Sequence, residues 1–178
     1  MKRKSLIKTL HVLSACMWLG AATSVVLLQC AGGWTENNQE LAALNHNFTL
    51  LDFALIIPGA IGSFLTGFLI CKTTSWGFTR YWWVIAKAIG TLCGIIIGAA
   101  LLGPWQMQMA QLSAQMAADL EINSSYSMIR GMFTLVSFVQ VFLLIFNIIL
   151  SVRKPWGKRR SQQDESREVE RRTLSTSL

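Results

Sequence analysis

Three ionisable side chains fall inside long apolar stretches of this chain: His11, Asp52 and Lys87. Charges at membrane depth are costly, so each is a candidate for chemistry and needs a partner. A neutral imidazole nitrogen binds metals, iron above all where apolar helices enclose a macrocycle, and an ammonium pairs with a carboxylate such as a propionate. His11 and Lys87 each come about five residues into their stretches, entered from the same side, which predicts one shared depth. Asp52 enters from the opposite surface and is expected to meet polar groups of the outer loop or Asn47. On a helix His11, Ala15, Trp18 and Ala22 share a face, giving an inward stripe of imidazole, small gap and indole. The plainer alternatives are a Lys87 that snorkels to the inner headgroups and a neutral His11 hydrogen-bonded near Ser14.

The elements that must position these groups are four apolar stretches, residues 5–30, 48–71, 82–103 and 132–152. A helix needs roughly 20 residues, at about 1.5 Å each, to cross a hydrocarbon core about 30 Å thick. All four are long enough. With the N-terminus in the cytoplasm, 14 of the 16 Lys and Arg lie inside: Lys2, Arg3, Lys4, Lys8, Lys72, Arg80 and eight from Arg153 to Arg172. Glu36, Glu40, Asp119 and Glu121 then occupy the outer connections. The positive-inside rule therefore predicts an all-α, integral membrane four-helix bundle, N-in and C-in. The net charge of +7 is explained by this orientation and implies no nucleic-acid partner. The first stretch exceeds the apolar length of a signal peptide and has no clean cleavage site, so it is expected to remain as a span.

Residues 1–156 are expected to form the membrane domain and 157–178, rich in charge, Ser and Thr, a mobile cytoplasmic tail. In the outer connection Trp105, Met109, Leu112, Met116 and Leu120 recur at helical spacing, which predicts an amphipathic helix lying at the outer interface. Gly59, Ser63 and Gly67 in the second span, and Gly90, Gly94 and Gly98 in the third, form smooth ridges. Such ridges serve close helix packing or leave a slot for a flat ligand, and spacing does not choose between them. Pro58 should kink the second span, and Gln140 and Asn147 share one face of the fourth, directed towards the bundle interior. Of four cysteines only Cys16 and Cys93 match in depth, and they read as buried small apolar residues rather than a redox or metal pair. There is no phosphate-binding glycine loop, activated nucleophile or intramembrane carboxylate pair, which removes hydrolase and ATPase readings.

Several motifs resemble a known group. Lys8-x-x-His11-x6-Trp18-x-Gly20, Asp52-x5-Pro58-Gly59, Trp76-Gly77-Phe78, Tyr81-x-Trp83-x3-Lys87 and Gly103-Pro104-Trp105 together resemble an uncharacterised family of small four-span bacterial integral membrane proteins. That resemblance implies the bacterial inner membrane and no particular activity. More distantly, the layout is similar to the HemJ-type protoporphyrinogen oxidases. This likeness implies His11 as ligand to haem b or a related tetrapyrrole, with Lys87 and Arg80 as polar contacts and Trp18 beside them. His46 lies at the outer surface, so bis-histidine ligation is not expected. A third likeness, to CopD-like copper-resistance membrane domains, implies Met107, Met109 and Met116 as Cu(I) thioethers. Helical geometry opposes it, because Met107 and Met109 point about 200° apart and Met109 and Met116 stand about 10 Å apart along the axis. The expectation is a tetrapyrrole-binding membrane protein with a redox role; the alternative is a ligand-free accessory or assembly subunit packing on a membrane partner or a second copy.

Overall fold

The computed structural model describes residues 2–32, 35, 37–74, 80–119 and 124–155. The expected tail 157–178, the Trp76-Gly77-Phe78 motif and Leu120 lie outside the described residues. Six α-helices follow in order: α1 (Lys2–Ala31), α2 (Asn38–Leu51), α3 (Ile57–Thr73), α4 (Trp82–Ile97), α5 (Gly103–Asp119) and α6 (Ser124–Arg153). A π-helical turn, Asp52–Ile56, joins α2 to α3 without a break, and a second, Gly98–Leu102, joins α4 to α5. The result is four helices long and apolar enough to cross a membrane: Lys4–Ala31, Asn38–Thr73, Trp82–Ala118 and Ser124–Arg153. The all-α four-span architecture is as the sequence predicts. His11 near the start of α1, Lys87 near the start of α4 and Ser151 near the end of α6 meet, which fixes one end of the bundle, termed here the terminal side.

Both π turns have a proline behind them. Pro58 and Pro104 each come six residues after the turn begins, at Asp52 and Gly98. A proline ring clashes with the carbonyl four residues earlier, here within the π turn, and has no N–H to bond it. Widening the turn relieves the clash: Ile57 N–H reaches Asp52 O and Gly103 N–H reaches Gly98 O, five residues back. The expected kink at Pro58 is therefore absorbed as a wide turn, and Pro104 does not end the third span.

The two joined spans, 36 and 37 residues long, rise about 54 Å and exceed the hydrocarbon core, at about 1.5 Å per residue. Their far ends, α2 and α5, pack on each other and on α6. This corrects the expected interfacial helix. Residues 105–119 are helical and their stripe is apolar, but Met109 and Met116 are buried against Leu41, Phe48, Tyr126 and Phe133 rather than in lipid headgroups. A polar core holds this end in register. Asn45, fully buried, donates through Nδ2 to Leu41 O and to the Tyr126 hydroxyl, both at 2.9 Å, and Gln106 Nε2 donates to Asn45 O at 3.1 Å.

In α6 the buried residues Tyr126, Phe133, Ser137, Gln140, Leu144 and Asn147 recur by threes and fours, the seam of left-handed helix packing. The small-residue ridges divide by purpose. A Cβ on Gly59 would stand 2.8 Å from Trp18 N and 3.0 Å from Ser14 O, so the backbones of α1 and α3 touch there. One on Gly90 would stand 2.7 Å from the Asn147 amide, and one on Gly94 3.3 Å from the Trp18 ring. One on Gly98 would meet nothing within 4 Å. The ridge thus serves packing at Gly90 and Gly94 and leaves room at Gly98. The cysteines are all free, and Cys16 and Cys93 are exposed on the helix surface, which corrects their expected burial.

Candidate functional site

The close approach of α1 and α3 over the glycine ridge brings His11 onto the α3 backbone. A Cβ on Gly67 would lie 3.4 Å from His11 Cε1, in van der Waals contact, so the ring rests against α3 at this position. His11 Nδ1 lies 3.1 Å from Ser63 O and 3.0 Å from Thr66 Oγ1. On its other edge, Nε2 lies 3.3 Å from Lys87 Nζ, which also donates to Ser151 Oγ at 3.0 Å. Every span contributes a group.

Donor logic assigns the protons. Lys87 has only N–H donors, so His11 Nε2 accepts and the ring proton sits on Nδ1. Nδ1–H then donates to Ser63 O, with Thr66 Oγ1 as a second acceptor, because the Thr66 hydroxyl spends its own hydrogen on Gly62 O. His11 and Lys87 are each half-buried, and neither meets a carboxylate among the described residues.

Of the four expected site residues, the structure joins His11 and Lys87 and separates the other two. Trp18 is buried on the same face of α1, but seven residues further along, about 10 Å of rise, with its ring against Gly94 and Leu144. Arg80 is exposed on the connection before α4. His46 is exposed, as expected. Ser63, Thr66 and Ser151 complete the pair's surroundings; the sequence places Ser63 on the small-residue ridge only, and Ser63 and Thr66 each follow a glycine of α3, Gly59 and Gly62, by four residues, which sets both on the face turned to α1.

Iron ligation does not fit this arrangement. Both ring nitrogens of His11 are engaged, one by a backbone carbonyl and one by an ammonium, and Gly67 closes on the ring edge. A cavity of about 500 Å³ lies elsewhere in the bundle, lined by Trp18 and Gly98 but not by His11 or Lys87. Among the described residues no group of three or more His, Cys, Asp or Glu could hold a metal ion. The thioethers do not converge either: Met109 is fully buried and Met107 is exposed.

The unpartnered buried atoms all belong to carboxamides. Gln140 Nε2 donates to Gly94 O at 3.0 Å while its Oε1 has no partner, and Gln106 Oε1 and both amide atoms of Asn147 are likewise orphaned. Each such atom costs about 1–3 kcal/mol, so a run of them along one interior is unusual for pure packing. Asp52 does not meet Asn47; its half-buried carboxylate lines the cavity without a polar partner among the described residues.

A family model described as predicted integral membrane protein (DUF2269) matches residues 5–155. The chain belongs to that family. The match takes in all four spans and the whole site, and its description carries neither an oxidase nor a copper activity. No curated protein and no solved structure matches the chain.

Proposed function

We propose that this integral membrane protein holds one exchangeable proton at the His11–Lys87 pair, as the protonation element of a membrane redox or transport step. The observation that carries this reading is the 3.3 Å contact between an ammonium and an imidazole, inside a four-span bundle and with no carboxylate beside it among the described residues. Ionisable groups in such places are expensive, and proton relays are their commonest use. Lipid is the immediate partner. The distribution of basic residues supports an orientation with the terminal side in the cytoplasm of a bacterial inner membrane.

With only two histidines in the chain, nitrogen NMR of histidine-labelled protein in nanodiscs is a clean test, His11→Ala giving the assignment. His11 should show Nδ1 protonated and Nε2 accepting a hydrogen bond, and Lys87→Met should shift Nε2. A His11 signal identical to that of exposed His46, and untouched by Lys87→Met, would end the reading. Proteoliposomes with an entrapped pH dye supply the functional arm: wild type should equilibrate an imposed pH step faster than Lys87→Met.

A further inference from the structure

A second site lies on the other half of the bundle. The cavity of about 500 Å³ lies further from the terminal side than the His11–Lys87 pair and is lined by residues of all four spans. Both π turns border it, through Asp52, Phe53 and Ile56 on one side and Gly98, Ala99 and Leu102 on the other. Wide turns of this kind recur at functional sites, because they displace a stretch of helix wall without ending the helix.

Apart from the Ser137 hydroxyl, the polar part of the lining consists of acceptors. Asp52 offers a carboxylate, and the oxygens of Gln140 and Gln106 are buried without partners behind the wall, each residue at most 4 % exposed. Thr49 spends its hydroxyl hydrogen on Asn45 O, so its oxygen can only accept. The cations nearest in the fold are engaged elsewhere: Lys87 with His11 and Ser151, and Arg130 with the side chain and carbonyl of Gln29. The rest is apolar, with the rings of Trp18, Phe48, Phe53 and Phe133 among it. A carboxylate set among aromatic faces selects a cation that carries its own hydrogen-bond donors on an apolar body.

We propose that this cavity binds a lipid-soluble amine as its ammonium, admitted sideways from the bilayer, with the head on Asp52 and the body against the rings. This goes beyond the His11–Lys87 reading and does not depend on it. A plain acyl chain would fill the same apolar space, but it would leave the Asp52 carboxylate unanswered.

The probe is 4-phenylbutylamine, compared with its neutral counterpart 4-phenylbutanol, titrated calorimetrically into wild-type protein in phosphatidylcholine nanodiscs against empty nanodiscs. The amine should bind at least tenfold more tightly than the alcohol. Asp52→Asn, which keeps the side-chain shape, should abolish that preference. Gly98→Leu should weaken both ligands by a similar factor, since its side chain enters open space and fills the cavity. Thermal unfolding of each variant confirms that it is folded. Equal binding of amine and alcohol to wild type points to an acyl-chain groove and overturns the proposal. So does a preference that survives Asp52→Asn, or binding unaffected by Gly98→Leu.

Discussion

Lys87 Nζ reaches His11 Nε2 at 3.3 Å across 76 residues of sequence, and the contact exists because α3 lacks side chains where α1 crosses it. Gly59 and Gly62 let the backbones close, Gly67 receives the imidazole edge, and the ring is left facing α4. Ser63 O and Thr66 Oγ1 then fix its tautomer, so Nε2 is offered as an acceptor at the point where Lys87 arrives. A packing motif thereby sets the chemistry.

The two partners should not be equivalent to removal. Lys87→Met takes away a charge that is costly to bury and leaves one imidazole acceptor short of a donor. His11→Ala leaves the ammonium with Ser151 alone. Breaking one side of a buried charged contact is the damaging direction, so His11→Ala should cost about 1–3 kcal/mol and Lys87→Met clearly less. A double-mutant cycle by chemical unfolding in detergent should return a coupling of about 0.5–3 kcal/mol. Strict additivity would mean that the contact contributes nothing.

Glycine substitutions should sort by what their new Cβ meets. Gly59→Ala drives a methyl into the α1 backbone, at 2.8 Å from Trp18 N, and neither helix can yield without losing the site. A loss of about 1–3 kcal/mol is expected from such overpacking. Gly20→Ala, with nothing within 4 Å, should be neutral or slightly stabilising through helix propensity. Thermal unfolding midpoints of the two variants decide the matter. Equal midpoints would show that α1 and α3 do not touch at Gly59.

Much of this was legible in the sequence for one reason: in lipid, apolar length and ionisable exceptions are strong signals. The four spans, the shared level of His11 and Lys87, and the inward faces of Gln140 and Asn147 all follow from them. The far end of the bundle was not legible. Residues 38–47 are rich in Asn and Gln and read as a loop, yet Asn37 caps a helix there by accepting from Gln39 N–H, and Asn45 is consumed by Tyr126. Polar residues that satisfy one another between helices look the same in sequence as polar residues facing water. Pro104 reads as a stop, and only the π turn before it allows the helix to continue. Trp18 shares the stripe of His11, but seven residues are about 10 Å of rise, which already sets the indole beyond the level of the pair.

That polar knot should be structural. Asn45→Leu removes the donor to Tyr126 and to Leu41 O and places a branched side chain where an amide was fully buried. The Tyr126 hydroxyl, itself buried, is left unsatisfied, at about 1–3 kcal/mol. Tyr126→Phe in the same background should recover part of the loss by removing the stranded hydroxyl. Unfolding in denaturant measures both steps, and a Tyr126→Phe change that deepens the defect would contradict the pairing.

Orientation can be read from the native cysteines. Cys30 is exposed one residue before the end of α1, and Cys71 lies near the end of α3 on the terminal side. A membrane-impermeant maleimide applied to intact cells or right-side-out spheroplasts should label Cys30 and spare Cys71, if the terminal side faces the cytoplasm. The reverse pattern would invert the topology and place the His11–Lys87 pair in the outer leaflet. Cys16 and Cys93, exposed only along the spans, should stay unlabelled in both cases.

The His11 environment also makes an optical prediction. Iron would have to displace Lys87 from Nε2 or the Ser63 carbonyl from Nδ1, and the cavity of about 500 Å³ is lined by Trp18 and Gly98 rather than by the imidazole. Protein purified from haem-replete cells should therefore show no Soret absorption. Adding hemin should give no band that depends on His11. A Soret band that is lost in His11→Ala but kept in His46→Ala would establish His11 as a haem ligand. It would also require that Lys87 leaves the imidazole when the tetrapyrrole binds. Lys87→Met tests that step directly: with the competing ammonium gone, Nε2 is freed, so the variant should bind hemin more readily than wild type only if the ammonium is what excludes iron.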